Sequence, residues 1–274
     1  MEITMEILIP VLICFVIAAV CAVILTVTSH FFSVKEDEKV GLIRDCLAGA
    51  NCGACGYSGC DGYAKALADG SCDKTNLCTP GGDTAAKQIS EILGVEAEAV
   101  ERKVAYVACN GNCNVMTKRY EYQGHESCRI ANMSYSGDKM CTYACLGYGD
   151  CAAVCPQNAI SPVDGVAVVN KEKCIGCGMC VKACPKGMIH LVGADEEVIV
   201  KCSNRDKGIL TKKYCPNGCI GCGLCKRNCP EGAIAVENNL AVIDYDKCIG
   251  CGKCTEVCPI GCIKNLHDCE RIKC

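Results

Sequence analysis

The longest hydrophobic stretch of the chain runs from Ile7 to Val27, 21 residues without a charged side chain. As a helix rising 1.5 Å per residue it spans about 32 Å, enough to cross a bilayer core. Pro10 lies in its first turn, where the missing N–H costs nothing. Glu2 and Glu6 precede the run and Lys35-Glu-Asp-Glu-Lys39 follows it. A secretory signal wants Lys or Arg where these two acids stand, and no A-x-A site closes the run. The segment therefore predicts an uncleaved anchor in the cell membrane. Lys and Arg follow the span, which places the bulk of the chain on the cytoplasmic side. Cys14 and Cys21 within it read as small apolar residues. With no ionisable side chain there, the span offers no path for protons or sodium.

Beyond the anchor the hydrophobic pattern breaks into short pieces. Asp61–Asp69 predicts a short helix, and Asp83 is placed to cap a second one running to about Leu93. Val166–Asn170 and Leu240–Asp244 read as strands, entered through the turn pairs Asp164-Gly165 and Asn238-Asn239. Ile160, Ile189, Ile234 and Ile263 recur four residues after a Cys-Pro pair and are expected to pack beside whatever the cysteines bind. The elements predict an α+β protein. Trp is absent and Phe occurs three times, so the hydrophobic core is small and another source of folding energy is needed.

That source is the 32 cysteines. A disulfide scaffold fits poorly: Cys174, Cys177, Cys180 and Cys184 crowd four thiols into eleven residues, and no exporting signal points to an oxidising compartment. CIGCGMCVKACP (174–185), CIGCGLCKRNCP (219–230) and CIGCGKCTEVCP (248–259) are near copies. CLGYGDCAAVCP (145–156) is a fourth, with Tyr148 where a cysteine is expected. The copies starting at 145 and 174 are 29 residues apart, as are those starting at 219 and 248, so a two-motif unit has been duplicated. The spacing C-x₂-C-x₂-C-x₃-C-P is that of bacterial two-cluster ferredoxins, in which the cysteine before Pro ligates the other cluster of its unit. Zinc needs only two C-x-x-C pairs.

The complete unit then holds one [4Fe–4S] cluster on Cys219, Cys222, Cys225 and Cys258, and another on Cys248, Cys251, Cys254 and Cys229. In the first unit Cys174, Cys177, Cys180 and Cys155 form the regular set. Cys145, Cys151 and Cys184 lack a fourth ligand, and Cys141, four residues upstream, is the expected substitute. A different spacing, Cys52-x₂-Cys55-x₄-Cys60 followed by Cys78, predicts a further four-iron site nearer the anchor, with Gly53, Gly56 and Gly59 letting backbone N–H groups approach sulfur.

The motif GANCGACGYSGCDGYA with TPGG, the odd copy CTYACLGYGDCAAVCP, KCSNRDKG at 201–208 and the single membrane helix together resemble the membrane-anchored polyferredoxin, or B component, of the Rnf electron-transport complex. The resemblance covers nearly the whole chain. The 51–82 motif alone also occurs in corrinoid iron–sulfur proteins. The resemblance implies a non-catalytic electron-transfer subunit in a membrane complex that couples ferredoxin oxidation to ion translocation. It implies soluble reduced ferredoxin as donor and integral-membrane and redox subunits as partners.

The chain divides accordingly into an anchor (1–32), a four-iron domain (33–95), a connecting segment (96–140), and ferredoxin-like units at 141–200 and 201–274. The connecting segment carries Cys109, Cys113 and Cys128. With one of Cys141, Cys202 or Cys215 these would make a sixth cluster beside the five; the other reading is buried free thiols. Lys201, Arg205, Lys207, Lys212 and Lys213 around Asp206 read either as a solvated loop or as a docking patch for an acidic ferredoxin. The formal charge is −3 before any cluster adds to it, which argues against a nucleic-acid partner. No G-x-G-x-x-G follows a strand and the four His form no spaced pair, so a self-contained redox enzyme is the weaker alternative. A polyferredoxin of another anaerobic complex and a zinc-stabilised adaptor are the others.

Overall fold

The computed structural model describes residues 2–31 and 37–266. Cys269, Cys274, His267 and part of the Lys35–Lys39 link lie outside them. Helix α1 (Glu2–Phe31) contains the predicted span. Its window Val11–Thr28 has a mean hydropathy of 3.0, and none of it is covered by the rest of the chain. It is long and apolar enough to cross a membrane.

A small helical body follows. Asp37 caps α2 (Glu38–Cys46), its carboxylate accepting from the Lys39 N–H at 3.2 Å. Helix α2 packs on α3 (Cys60–Ala68) and α4 (Gly82–Leu93). Ile43, Tyr63, Leu67 and Ile89 form the buried centre, and Cys60 and Cys78 border it. The expected cap at Asp83 is not made. A 3-10 turn, Thr79–Gly81, leads directly into α4, and the Asp83 carboxylate accepts instead from the Val100 N–H at 2.8 Å. That bond ties the connecting segment to this body. Gly94, at φ 71°, closes α4.

The remainder contains two copies of one pattern. In the first, α6 (Asp150–Ala153) leads to the hairpin β2 (Ile160–Val163) and β3 (Val166–Val169), and α7 (Met179–Ala183) leads to β4 (Ile189–Gly193). In the second, α9 (Leu224–Asn228), the hairpin β6 (Ile234–Glu237) and β7 (Leu240–Ile243), α10 (Lys253–Glu256) and β8 (Ile263–Asn265) repeat it. Asp164 and Gly165, then Asn238 and Asn239, all have positive φ, as two-residue hairpin turns require. The four expected isoleucines open β2, β4, β6 and β8 and are buried.

The structure adds two strands that the local pattern did not reveal. β1 (Lys103–Val107), in the connecting segment, pairs antiparallel with β4, with Val107 opposite Ile189. β5 (Val198–Val200) pairs in the same way with β8, with Val200 opposite Ile263. Each copy is thus closed by a strand preceding it in sequence. The expected boundary at 200/201 therefore cuts just after a strand that belongs with the second unit. Two short helices complete the fold: α5 (Cys128–Met133), and α8 (Gly208–Tyr214), which precedes the second unit.

Loop 145–149 is seated against the hairpin turn. A Cβ on Gly147 would lie 2.4 Å from the Gly165 carbonyl oxygen, and Gly147 has φ 81°. Gly147→Ala is expected to cost about 1–3 kcal/mol from the backbone conformation alone, before the clash. Gly41→Ala, in mid-helix where an added Cβ meets nothing within 4 Å, should stabilise by about 0.5–1 kcal/mol. Thermal unfolding followed by circular dichroism should lower the transition for the first variant and raise it for the second.

Candidate iron–sulfur centres

Three cavities of the ferredoxin-like units are each lined by four of the expected ligands. Cys155, Cys174, Cys177 and Cys180 surround a space of about 340 Å³, closed by Ala105, Ile160 and Leu191. Cys219, Cys222, Cys225 and Cys258 surround about 350 Å³ with Ile220, Val236 and Ile263. Cys229, Cys248, Cys251 and Cys254 surround about 330 Å³ with Val198 and Ile234. In each, the cysteine preceding Pro comes from the partner motif, as the crossed ligation of a two-cluster ferredoxin demands. Among the described residues no three His, Cys, Asp or Glu side chains gather around a single metal-ion position. The thiols instead line the walls of these cavities.

Backbone N–H groups point at these sulfurs. Ala159 N–H donates to Cys155 Sγ at 3.3 Å, Ala105 N–H to Cys174 Sγ at 3.4 Å, and Met188 N–H to Cys184 Sγ at 3.4 Å. Such donors stabilise thiolate charge. The apolar lining, the four sulfurs and the N–H groups fit a cubane iron–sulfur group. That group would supply one-electron exchange.

The incomplete set of the first unit is arranged differently from expectation. Burial pushes the Cys151 thiol up to about 12, and neighbouring Cys145, Cys128 and Cys184 add to the effect. Cys128 is buried at the start of α5. Asp150 holds it there, accepting from the Ser127 hydroxyl at 3.0 Å and from the N–H groups of Cys128 and Arg129 at 2.9 and 3.0 Å. Tyr148, at the missing-cysteine position, packs with Leu146 against Cys128. Buried Lys139 donates to the carbonyls of Cys145 and Gly165, both at 2.6 Å, joining loop and turn.

Cys141, the expected substitute, does not complete this set. It lines another cavity, with Cys109, Cys202 and Cys215. Cys113 is exposed, its sulfur 3.9 Å from Asn114 Oδ1, and lines none of these four cavities. Of the expected grouping of Cys109, Cys113 and Cys128, only Cys109 lines the same cavity as Cys141.

In the N-terminal body, Cys78 is pushed up chiefly by burial, with Cys60 and Cys52 adding to it. Cys55, Cys60 and Cys78 pack together on the Tyr63 core. Gly81 passes close to the sulfur: an added Cβ would lie 3.1 Å from Cys78 Sγ. This body touches the first unit, since the Lys182 ammonium donates to the Cys52 carbonyl at 3.0 Å.

One cavity holds a fifth thiol. Cys262 is buried, with its sulfur 3.7 Å from Cys258 Sγ. Hydrogen bonding within this group of thiols holds Cys258 and Cys219 below the ordinary thiol value, with backbone N–H donors adding to the effect. The equivalent position of the first unit is Met188, whose N–H faces Cys184 as Cys262 faces Cys258.

Known families match the same segments. A model for an Fe-S cluster matches residues 47–80, a 4Fe-4S binding domain 167–190 and a 4Fe-4S dicluster domain 211–259. The chain is 46% identical, over 88% of its length and 72% of the relative's, to the B component of the Na(+)-translocating ferredoxin:NAD(+) oxidoreductase complex of Acetobacterium woodii. It is 40% identical to the B component of the proton-translocating ferredoxin:NAD(+) oxidoreductase complex of Clostridium ljungdahlii, over 84% and 81% of the two chains. The chain belongs to the family of Rnf-complex B components. A third relative, the B component of the ion-translocating oxidoreductase complex of Methanosarcina acetivorans, is 41% identical over 82% and 85%. Membership in this Rnf family makes the chain an electron-transfer protein with [4Fe–4S] clusters, associated with a membrane complex.

The site geometry makes two outcomes measurable. Cys128→Ala should remove about four irons per chain and Cys113→Ala none, measured by iron analysis of anaerobically purified protein. The second concerns pH. Metal-free Cys145 and Cys151, raised to about 11 and about 12 from an ordinary value near 9, are neutral at pH 7. Their burial as neutral thiols supports the metal-free fold below pH 9, and that support is lost as the pH climbs through 11 to 12. Loading requires thiolates and runs the other way. Reconstitution with iron and sulfide should therefore be faster at pH 8.5 than at pH 6.5, followed by the rise of visible absorption.

Proposed function

We propose that this chain is the electron-relay subunit of a membrane-bound, ion-translocating oxidoreductase. It accepts electrons from reduced ferredoxin and passes them to redox and integral-membrane subunits of the same complex. Helix α1 anchors it by a single pass, with the cluster-bearing body on the cytoplasmic side. It catalyses no bond chemistry itself.

The observation that carries this reading is the succession of cysteine sets. The second unit holds Cys219, Cys222, Cys225 and Cys258, and Cys229, Cys248, Cys251 and Cys254. In the first, Cys155, Cys174, Cys177 and Cys180 line one cavity, and Cys145, Cys128 and Cys184 are neighbours of Cys151. The Lys182–Cys52 contact then leads to Cys52, Cys55, Cys60 and Cys78 in the body next to the anchor. We assign one four-iron cluster to each of these five sets. The names of the relatives, which pair ferredoxin with ion translocation, support the donor and the coupling.

The donor's docking site is the surface around α8. Arg205, Lys207, Lys212 and Lys213 are exposed there, around Ile209 at 86% and Leu210 at 49% exposure. An apolar centre with a basic rim suits an acidic protein partner. Gly208 of α8 packs on Ile220, next to exposed Cys222, so the patch adjoins a cysteine set. Lys201, expected in the patch, is buried and takes no part.

Mixing anaerobically purified chain with reduced ferredoxin should bleach its visible absorption. The double variant Lys212→Glu, Lys213→Glu should slow that reaction about tenfold or more at low ionic strength. The gap should narrow in salt. Bleaching at an unchanged rate would move the docking site elsewhere, and an absence of bleaching in the unsubstituted chain would remove ferredoxin as donor.

A further inference from the structure

The two ferredoxin-like units are copies, and the strands that close them extend the equivalence. Val107 faces Ile189, and Val200 faces Ile263. The next backbone bonds also correspond: Ala108 N–H donates to the Met188 carbonyl at 2.7 Å, and Lys201 N–H to the Cys262 carbonyl at 2.8 Å. Cys109 and Cys202 follow at the same distance from their strands. Cys141 stands four residues before Cys145, as Cys215 stands four before Cys219. Each copy thus presents the same pair of thiols, and the fold brings the two pairs to one cavity of about 280 Å³.

All four thiols are buried: Cys109, Cys141 and Cys215 are 6% exposed and Cys202 is 9%. The N–H groups of Asn204 and Cys219 donate to Cys202 Sγ at 3.4 and 3.3 Å. The amide of Asn204, itself 2% exposed, donates to Cys141 Sγ at 3.5 Å. Gly111 lines the opening, where a Cβ would stand 3.4 Å from Cys215 Sγ. Buried sulfurs from four separate segments, met by N–H donors, repeat the features of the sets within the matched family segments. The cavity differs from them in one respect: none of the matched segments spans it.

We propose that Cys109, Cys141, Cys202 and Cys215 hold a sixth [4Fe–4S] cluster, to which each unit contributes the corresponding pair of cysteines. Its position gives it a role within the relay proposed above. Cys202 accepts from the N–H of Cys219, a member of the second unit's set. Cys109 and Cys141 share one packed core with Cys145 and Cys151 of the first unit. A group bound at the junction stands between the two units and supplies the same one-electron exchange as its neighbours.

The test counts clusters and needs no electron donor, so its result is independent of the ferredoxin assignment. Native mass spectrometry and iron analysis of the anaerobically purified full chain should give six clusters, about 24 irons. The double variant Cys141→Ala, Cys215→Ala should lose about four irons and keep the Mössbauer signature of the others. Five clusters in the unsubstituted chain would overturn the proposal, whether or not the variant folds. So would a double variant with undiminished iron, or a zinc ion in place of the sixth cluster.

Discussion

Iron–thiolate ligation is the interaction on which the rest of this structure depends. Its helices α6, α7, α9 and α10 have only four or five residues each, far below the length at which a helix holds itself together. Every sheet among the described residues has two strands, which is marginal in water. The pieces persist because cysteines at their ends converge on common cavities. Binding of metal to such sites is in large part folding free energy. The apolar residues lining the cavities, Ile160, Ile234 and Ile263 among them, then have a second task besides packing. They exclude water from the sulfurs, which conditions the potential of whatever the sulfurs hold.

What could be read from the sequence was what is local. Ligand spacings of two and three residues, the turn pairs at 164–165 and 238–239, and the helices beginning near Cys60 and ending at Leu93 all carry their signal within a few residues. The strands β1 and β5 do not. Each is a short apolar run whose partner lies far along the chain, and pairing rather than propensity makes it a strand. The cavity that Cys141 lines is likewise not legible from its neighbours. Four residues before Cys145 is a natural place for a substitute ligand if only neighbours are considered. The fold instead sets Cys141 in one cavity with Cys109, Cys202 and Cys215. One signal in the sequence pointed there: Cys215 occupies in the second unit the place Cys141 occupies in the first.

Asp83 shows how tertiary contact overrides a local preference. An acid at the start of a helix ordinarily caps it, yet here the preceding 3-10 turn supplies the entry and frees the carboxylate for Val100. Lys201 is a second case. Among basic residues it reads as surface, but it immediately follows a strand whose pairing carries it inward. Charge patterns mark a face only after the strand register is known.

The pair Met188 and Cys262 separates two units that otherwise match closely. A thioether accepts weakly and donates nothing, whereas a thiol can direct its hydrogen at a neighbouring sulfur. Two identical carriers in series would give an electron no reason to prefer one over the other. Cys262 sets a thiol beside Cys258 where the first unit sets a thioether residue beside Cys184, so corresponding sulfurs of the two copies meet different surroundings.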